Sequence, residues 1–278
     1  MAKIENTSIM FLKIAIIALA AFNTASAGDD VWTGFVASWS ANTSSHFYQL
    51  PQTLESAQNQ GWTDISGVEQ PDGVTALGYE GDFRFVILYS TENGSAIGVE
   101  VAIPAVDVDG TGQPMEYANI SAVTTKVVGG VECYTVTAYF YIDETSGARE
   151  LWFLEKDGLH KIPTNASLIN SEMGYYKGNC IPTMGNHYYR ITTTTECSSL
   201  YPWFILHEGE NVIGFGFEGL GTASSSERVW WESIPPTTTS ASLPSDEPAC
   251  LSSATLSYGL TSLHVWLVDQ PQNLTCSS

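Results

Sequence analysis

The sequence predicts a mostly β protein, with antiparallel sheets in two related units that each carry one short helix. Three observations carry that reading. Aromatic and β-branched runs alternate with Gly-rich turns, no long segment keeps a helical period, and five sequence blocks recur in the same order in both halves of the chain.

The chain begins Met1-Ala2-Lys3, runs apolar from Ile9 to Phe22 with Lys13 as an interruption, and then reads Thr24-Ala25-Ser26-Ala27. A basic start, an apolar middle and small residues before a cleavage point make a secretory signal, so residues 1–27 are expected to be removed. That run is short for a span of about 20 residues, and no later stretch is long and apolar enough. No membrane insertion is therefore expected after cleavage. Five N-x-S/T sequons, at Asn42, Asn93, Asn119, Asn165 and Asn273, are expected glycan sites and so expected points of exposed surface.

The 278 residues carry a formal charge of −20, from 30 acidic and 10 basic side chains. Loss of residues 1–27 removes only Lys3, Lys13 and Glu5 and leaves the chain strongly acidic. Such a surface repels nucleic acid and anionic membranes and suits solvation, divalent cations or basic partners. The aromatic content of 12% and charged content of 14% describe a folded domain, not a disordered acidic tail.

The repeat is read from matched blocks. Leu50-Pro51 leads to Gly61-Trp62, as Ile162-Pro163 leads to Gly174-Tyr175. Leu77-Gly78-Tyr79 is set against Met184-Gly185, and the apolar run Phe85–Tyr89 against Trp203–His207, which places Tyr89 opposite His207. Ile97–Val101 then matches Ile213–Phe217, and Ala138–Asp143 matches Leu263–Asp269. The expected division is a first β-rich unit over residues 28–157 and a second, disulfide-braced unit over residues 158–278.

Within each unit the turns Glu92-Asn93-Gly94-Ser95 and Glu208-Gly209-Glu210-Asn211 signal β-hairpins. Thr53 is expected to cap a short helix stopped by Gly61, and Ser167 to Met173, stopped by Gly174, is its counterpart. The stretch from Pro235 to Pro248 reads as a Ser/Thr/Pro-rich loop inserted in the second unit.

In an exported chain, cysteines without a CxxC pair read as disulfides. The four in the C-terminal part allow two bridges in three pairings, of which Cys180 with Cys276 and Cys197 with Cys250 is the one expected, leaving Cys133 as a thiol buried in a strand.

Several residue groups are candidates for chemistry. His187, His207 and His264, with Glu208 or Glu210, are possible zinc or copper ligands, although no HxH or HExxH spacing is present. Asp107, Asp109 and Thr111 place oxygens at alternate positions before Gly112, as in a calcium loop, but the closing acid is replaced by Ala118. Trp230, Trp231, Trp266 and Tyr188 are the candidate ligand-binding aromatics, because adjacent Trp residues on a strand face opposite sides. The expected function is that of a non-enzymatic extracellular protein binding an extracellular ligand or protein through the aromatic-rich second unit. The alternatives are a metal-dependent secreted enzyme using the histidines and a calcium-responsive matrix protein.

Overall fold

The computed structural model describes residues 32–39, 46–65, 71–142, 149–226, 228–234, 243–244 and 247–276. The expected signal segment, the Asn42 sequon and most of the Pro235–Pro248 loop lie outside these residues.

The chain forms two antiparallel sheets of eight strands and a few short helices. It starts with β1 (Val36–Ser38) and β2 (Phe47–Gln49), then α1 (Leu54–Asn59), β3 (Trp62–Asp64), β4 (Val74–Tyr79), β5 (Phe85–Ser90) and β6 (Ala96–Pro104). After α2 (Ala105–Val108) come β7 (Thr124–Val128), β8 (Val131–Ile142), β9 (Arg149–Glu155) and β10 (Gly158–Ile162). Helix α3 (Ala166–Met173) leads to β11 (Tyr176–Ile181), β12 (Gly185–Tyr189), β13 (Trp203–Glu208) and β14 (Asn211–Leu220). The chain ends with β15 (Glu232–Ser233), α4 (Leu251–Tyr258) and β16 (Leu260–Trp266).

One sheet has the order β10-β9-β8-β6-β5-β4-β3 with β7 on β8, and the other β11-β12-β13-β14-β16-β1-β2 with β15 on β16. Element by element, β1 to β8 with α1 repeat as β9 to β16 with α3. Each half, however, places its first hairpin in the other half's sheet: β1 pairs with β16, and β9 pairs with β8. The boundary expected at 157/158 falls within the β9–β10 hairpin, and the two halves interlock.

The registers align the repeats residue by residue. Both central hairpins carry an irregularity at the same place, between Leu88 and Tyr89 in β5 and between Leu206 and His207 in β13, so Tyr89 is equivalent to His207. Following the ladders outward makes Ala76 equivalent to His187, Tyr139 to Trp266, and Tyr48 to His160. Trp62 is equivalent to Tyr175 and Tyr79 to Arg190. Leu77-Gly78-Tyr79 thus lies opposite Tyr188-Tyr189-Arg190, not Met184-Gly185, because Gly185 opens β12 at a tight turn while Gly78 lies near the far end of β4.

Local chemistry explains the helices. The Thr53 hydroxyl accepts from the Ser56 backbone N–H at 3.2 Å, and the Asn165 side chain accepts from that of Ser167 at 2.9 Å, each capping its helix. Gly174 ends α3 in the left-handed region at φ 69°, which a side chain rarely adopts. Both caps also bridge to a hairpin of the sheet that follows, Thr53 to Ser95 and Asn165 to Asn211.

The two sheets face each other across one large apolar core. Phe153 of the first sheet stacks on Trp203 of the second at 4.9 Å, and Phe35, just before β1, meets Phe140 edge-on at 5.2 Å. A smaller core of Val86, Leu88, Ala102, Val128, Cys133 and neighbours covers the outer face of the first sheet. Polar contacts add a lock: Asp82 accepts from the Trp230 indole at 2.9 Å and from the Ser226 hydroxyl, while Arg84 Nε donates to the Ser224 carbonyl at 2.7 Å. Two disulfides close the C-terminal part, Cys180–Cys276 and Cys197–Cys250, as expected, and Cys133 is free and buried.

Candidate functional site

His187 on β12 and His264 on β16 meet on the outer face of the second sheet, with their Nε2 atoms 3.3 Å apart and their rings nearly perpendicular. Phe204 fills the space beside them, 4.9 Å from His264, in the gap left by Gly216, where a Cβ would sit 2.1 Å from the ring. Burial holds the His187 imidazole down at about 3, and burial together with the His187 neighbour holds His264 well below its ordinary range. Both rings are therefore neutral, one donating to the other. His207 stands on the opposite face, 4.5 Å from Tyr188, with Nδ1 donating to the Gly209 carbonyl at 3.1 Å. The structure thus joins two of the three candidate ligands and leaves the third apart; two imidazoles alone fall short of the three or four ligands of a zinc site.

The four candidate aromatics do not share a surface. Trp230 is fully buried and stacks on Phe85 of the first sheet at 4.8 Å. Trp231 packs near Phe217 at 6.0 Å and donates to the Ser224 carbonyl, so both members of the Trp pair serve cores. Neither lies on a strand, which removes the opposite-face constraint. Trp266 stacks beside His264 at 6.0 Å, and Tyr188 is half-buried against His207.

The oxygens of the Asp107 loop already have protein partners. Asp107 accepts from the Ser224 backbone N–H at 2.7 Å, Asp109 from the Tyr134 hydroxyl at 2.9 Å, and the Thr111 hydroxyl donates to the Val108 carbonyl at 2.7 Å. Asn93, Asn119, Asn165 and Asn273 are all exposed.

A polar groove of about 540 Å³ lies between residues 119–121, ahead of β7, and the loop between β12 and β13. It is lined by Asn119, Ser121, Arg190, Thr194, Thr195 and Tyr201 among others. The lining is held from several sides. Cys197–Cys250 anchors its loop, the Glu116 backbone N–H donates to the Ser198 carbonyl at 2.9 Å, and the Lys156 backbone N–H donates to that of Ser121 at 2.8 Å. The Tyr201 hydroxyl donates to Glu155 Oε1 at 2.8 Å, and Arg190 lies over the Tyr201 ring at 4.7 Å, where it also reaches Glu155 at 3.4 Å. Burial and the Glu155 charge push the Tyr201 hydroxyl far up, so it remains a donor. Beside the groove, Glu155, Asp157 and His160 bring one ligand atom each within 4.8 Å of the others, the one such group among the described residues. Asp157 and His160 are already hydrogen-bonded at 2.8 Å, which holds the Asp157 carboxyl below its usual range.

In the sequence Tyr201 is one of several second-unit aromatics, and Arg190 and Glu155 carry no signal, because the groove joins segments far apart in the chain. Nor does the sequence mark Glu218 and Glu232, which flank Ser262 in one row across β14, β16 and β15. Desolvation raises these half-buried carboxyls to about 8 and about 7.

No family model matches this chain, and no curated protein or solved structure does. The two disulfides are typical of extracellular proteins, and no helix among the described residues is long and apolar enough to cross a membrane.

Proposed function

We propose that the chain is a secreted acidic glycoprotein that binds an extracellular saccharide without catalysing its conversion, and that the groove at Tyr201 is the seat. The observation that carries this reading is the lining itself. Hydroxyls of Ser121, Thr194, Thr195 and Ser199, the Asn119 amide and the Arg190 guanidinium surround a half-buried aromatic ring. Polyhydroxylated ligands are held by such planar and hydroxylic partners, and here the Arg190 guanidinium, laid over the Tyr201 ring at 4.7 Å, presents its planar donors to the groove. Glu155 offsets the Arg190 charge, which favours a neutral sugar over a strongly anionic one.

Secretion is supported by the signal-like residues 1–27 and the disulfides, and glycosylation by the four exposed sequons. The formal charge of −20 disfavours nucleic acid and anionic membranes as partners. Screening the purified secreted protein on a glycan array tests the reading. Concentration-dependent binding to a related set of neutral oligosaccharides is expected; a blank array counts against it.

A further inference from the structure

At the corner equivalent to the groove, the chain builds a different object. Tyr48, Trp62, Tyr79 and Trp230 surround the guanidinium of Arg228, whose Cζ lies 3.5 Å from the Tyr79 ring centre, 4.7 Å from Tyr48, 5.7 Å from Trp230 and 5.9 Å from Trp62. The rings brace one another: Tyr48 meets Trp230 edge-on at 5.6 Å, Trp62 meets Tyr79 at 5.9 Å, and Trp39 stacks behind Tyr48 at 4.3 Å. Trp62 and Trp230 form the buried floor, and Tyr48 and Tyr79 are half-buried at the rim. The floor is rigid because the Trp230 indole is tied to Asp82.

We infer that this four-ring cage is a binding site for an organic cation, a quaternary or methylated ammonium group, which Arg228 occupies in the free chain. Three observations carry the inference. Several aromatic faces around one cation are the arrangement that recognises such groups, since the ring quadrupoles attract charge while the rings shed water from the methyl groups. Arg228 forms no ion pair with a carboxylate among the described residues and is instead surrounded by rings, in a chain with 30 acidic residues. The repeat also supplies an internal control. In the other corner Tyr48, Trp62 and Tyr79 are replaced by His160, Tyr175 and Arg190, and the same strands assemble there without a cage. The fold therefore does not require the phenol rings of Tyr48 and Tyr79, whereas the position of Trp62 keeps a buried aromatic in Tyr175. Arg228 itself is half-exposed on an irregular segment, next to the exposed Val229, and can leave the cage without breaking a strand.

A tethered side chain in the cage weakens a free ligand by the fraction of time the cage stands open. The probe is tetramethylammonium chloride, titrated against sodium chloride at matched ionic strength, with indole fluorescence and calorimetry as readouts. Wild-type protein is expected to bind weakly and saturably, and Arg228→Ala about tenfold or more tightly. Trp62→Leu in the Arg228→Ala background is expected to remove the binding. Thermal melts check folding, and Arg228→Gln, which keeps much of the aliphatic stem, serves if Arg228→Ala does not fold. Cage variants no tighter than wild type, or binding that survives Trp62→Leu, would overturn the inference. The groove reading is separate: Tyr201→Ala is expected to leave tetramethylammonium binding unchanged.

Discussion

The Tyr201 hydroxyl donates to Glu155 Oε1 at 2.8 Å, joining a hairpin held in the first sheet to the loop that enters β13 of the second. The same pair shapes the groove, so its loss affects stability and binding together. Tyr201→Phe removes one hydrogen bond to a charged acceptor, an interaction worth roughly 1.5–3 kcal/mol. A fall in stability of that size in urea titrations is expected. An unchanged midpoint would show that the contact adds nothing to the lock.

The Cys197–Cys250 bridge closes 53 residues and anchors the groove loop. Chain-entropy reasoning assigns such a bridge about 4 kcal/mol. The double variant Cys197→Ser, Cys250→Ser is expected to lose stability of that order and any saccharide binding with it. Retained binding in a folded double variant would mean that the loop needs no staple.

Opposed titrations set the pH dependence. His187, at about 3, and His264, well below its ordinary range, are both depressed in the folded chain, so their contribution is complete above the ordinary histidine value of about 6.5 and declines as pH falls below it. Glu218 and Glu232 are raised, so theirs is complete below about 4.5 and declines as pH rises through about 7 to about 8. Maximum stability is therefore expected between these limits, near pH 5 to 6. Thermal melts across pH should show Glu218→Gln flattening the alkaline decline and His264→Gln the acid one. The same slopes in both variants would contradict the assignment.

Interlocked hairpins predict that neither half folds alone. Residues 28–145 lack the β9–β10 hairpin that β8 pairs with, and residues 146–278 lack the β1–β2 hairpin that β16 pairs with. Each fragment is expected to melt without a sharp transition, and their mixture to recover one. A cooperative melt from either fragment by itself would show that the exchange is dispensable.

Cys133 is fully buried, and burial raises its thiol to about 11. A thiol reagent is expected to leave the native protein unmodified and to label one cysteine after unfolding without reductant. Rapid native labelling would place Cys133 at a surface.

Much of this architecture is legible in the sequence because it depends on neighbours in the chain. Asn93-Gly94 marks its hairpin, Gly174 stops α3, and the match of Phe85–Tyr89 with Trp203–His207 finds the equivalent strands in correct register. The four bridged cysteines are also legible, although their spacing allows three pairings and only the fold selects the one observed. Sheet membership does not: β1 and β2 have three residues each, too few for a period to tell which sheet they join. Alternation along a strand likewise cannot say whether its outward side is covered, so Trp230 and Trp266 read as ligand surface although both are buried. The groove and the cage needed the fold, since Tyr201 meets Glu155, and Arg228 meets Tyr48, only after the sheets assemble.

The groove at Tyr201 as the seat of the ligand is tested most directly by comparing three variants on one glycan array. Tyr201→Ala and Thr195→Ala are expected to reduce binding at least tenfold relative to wild type, while Tyr188→Ala, on the same sheet but outside the groove, leaves it unchanged. Full binding by Tyr201→Ala, or its loss in folded Tyr188→Ala alone, would place the ligand elsewhere and contradict the claim.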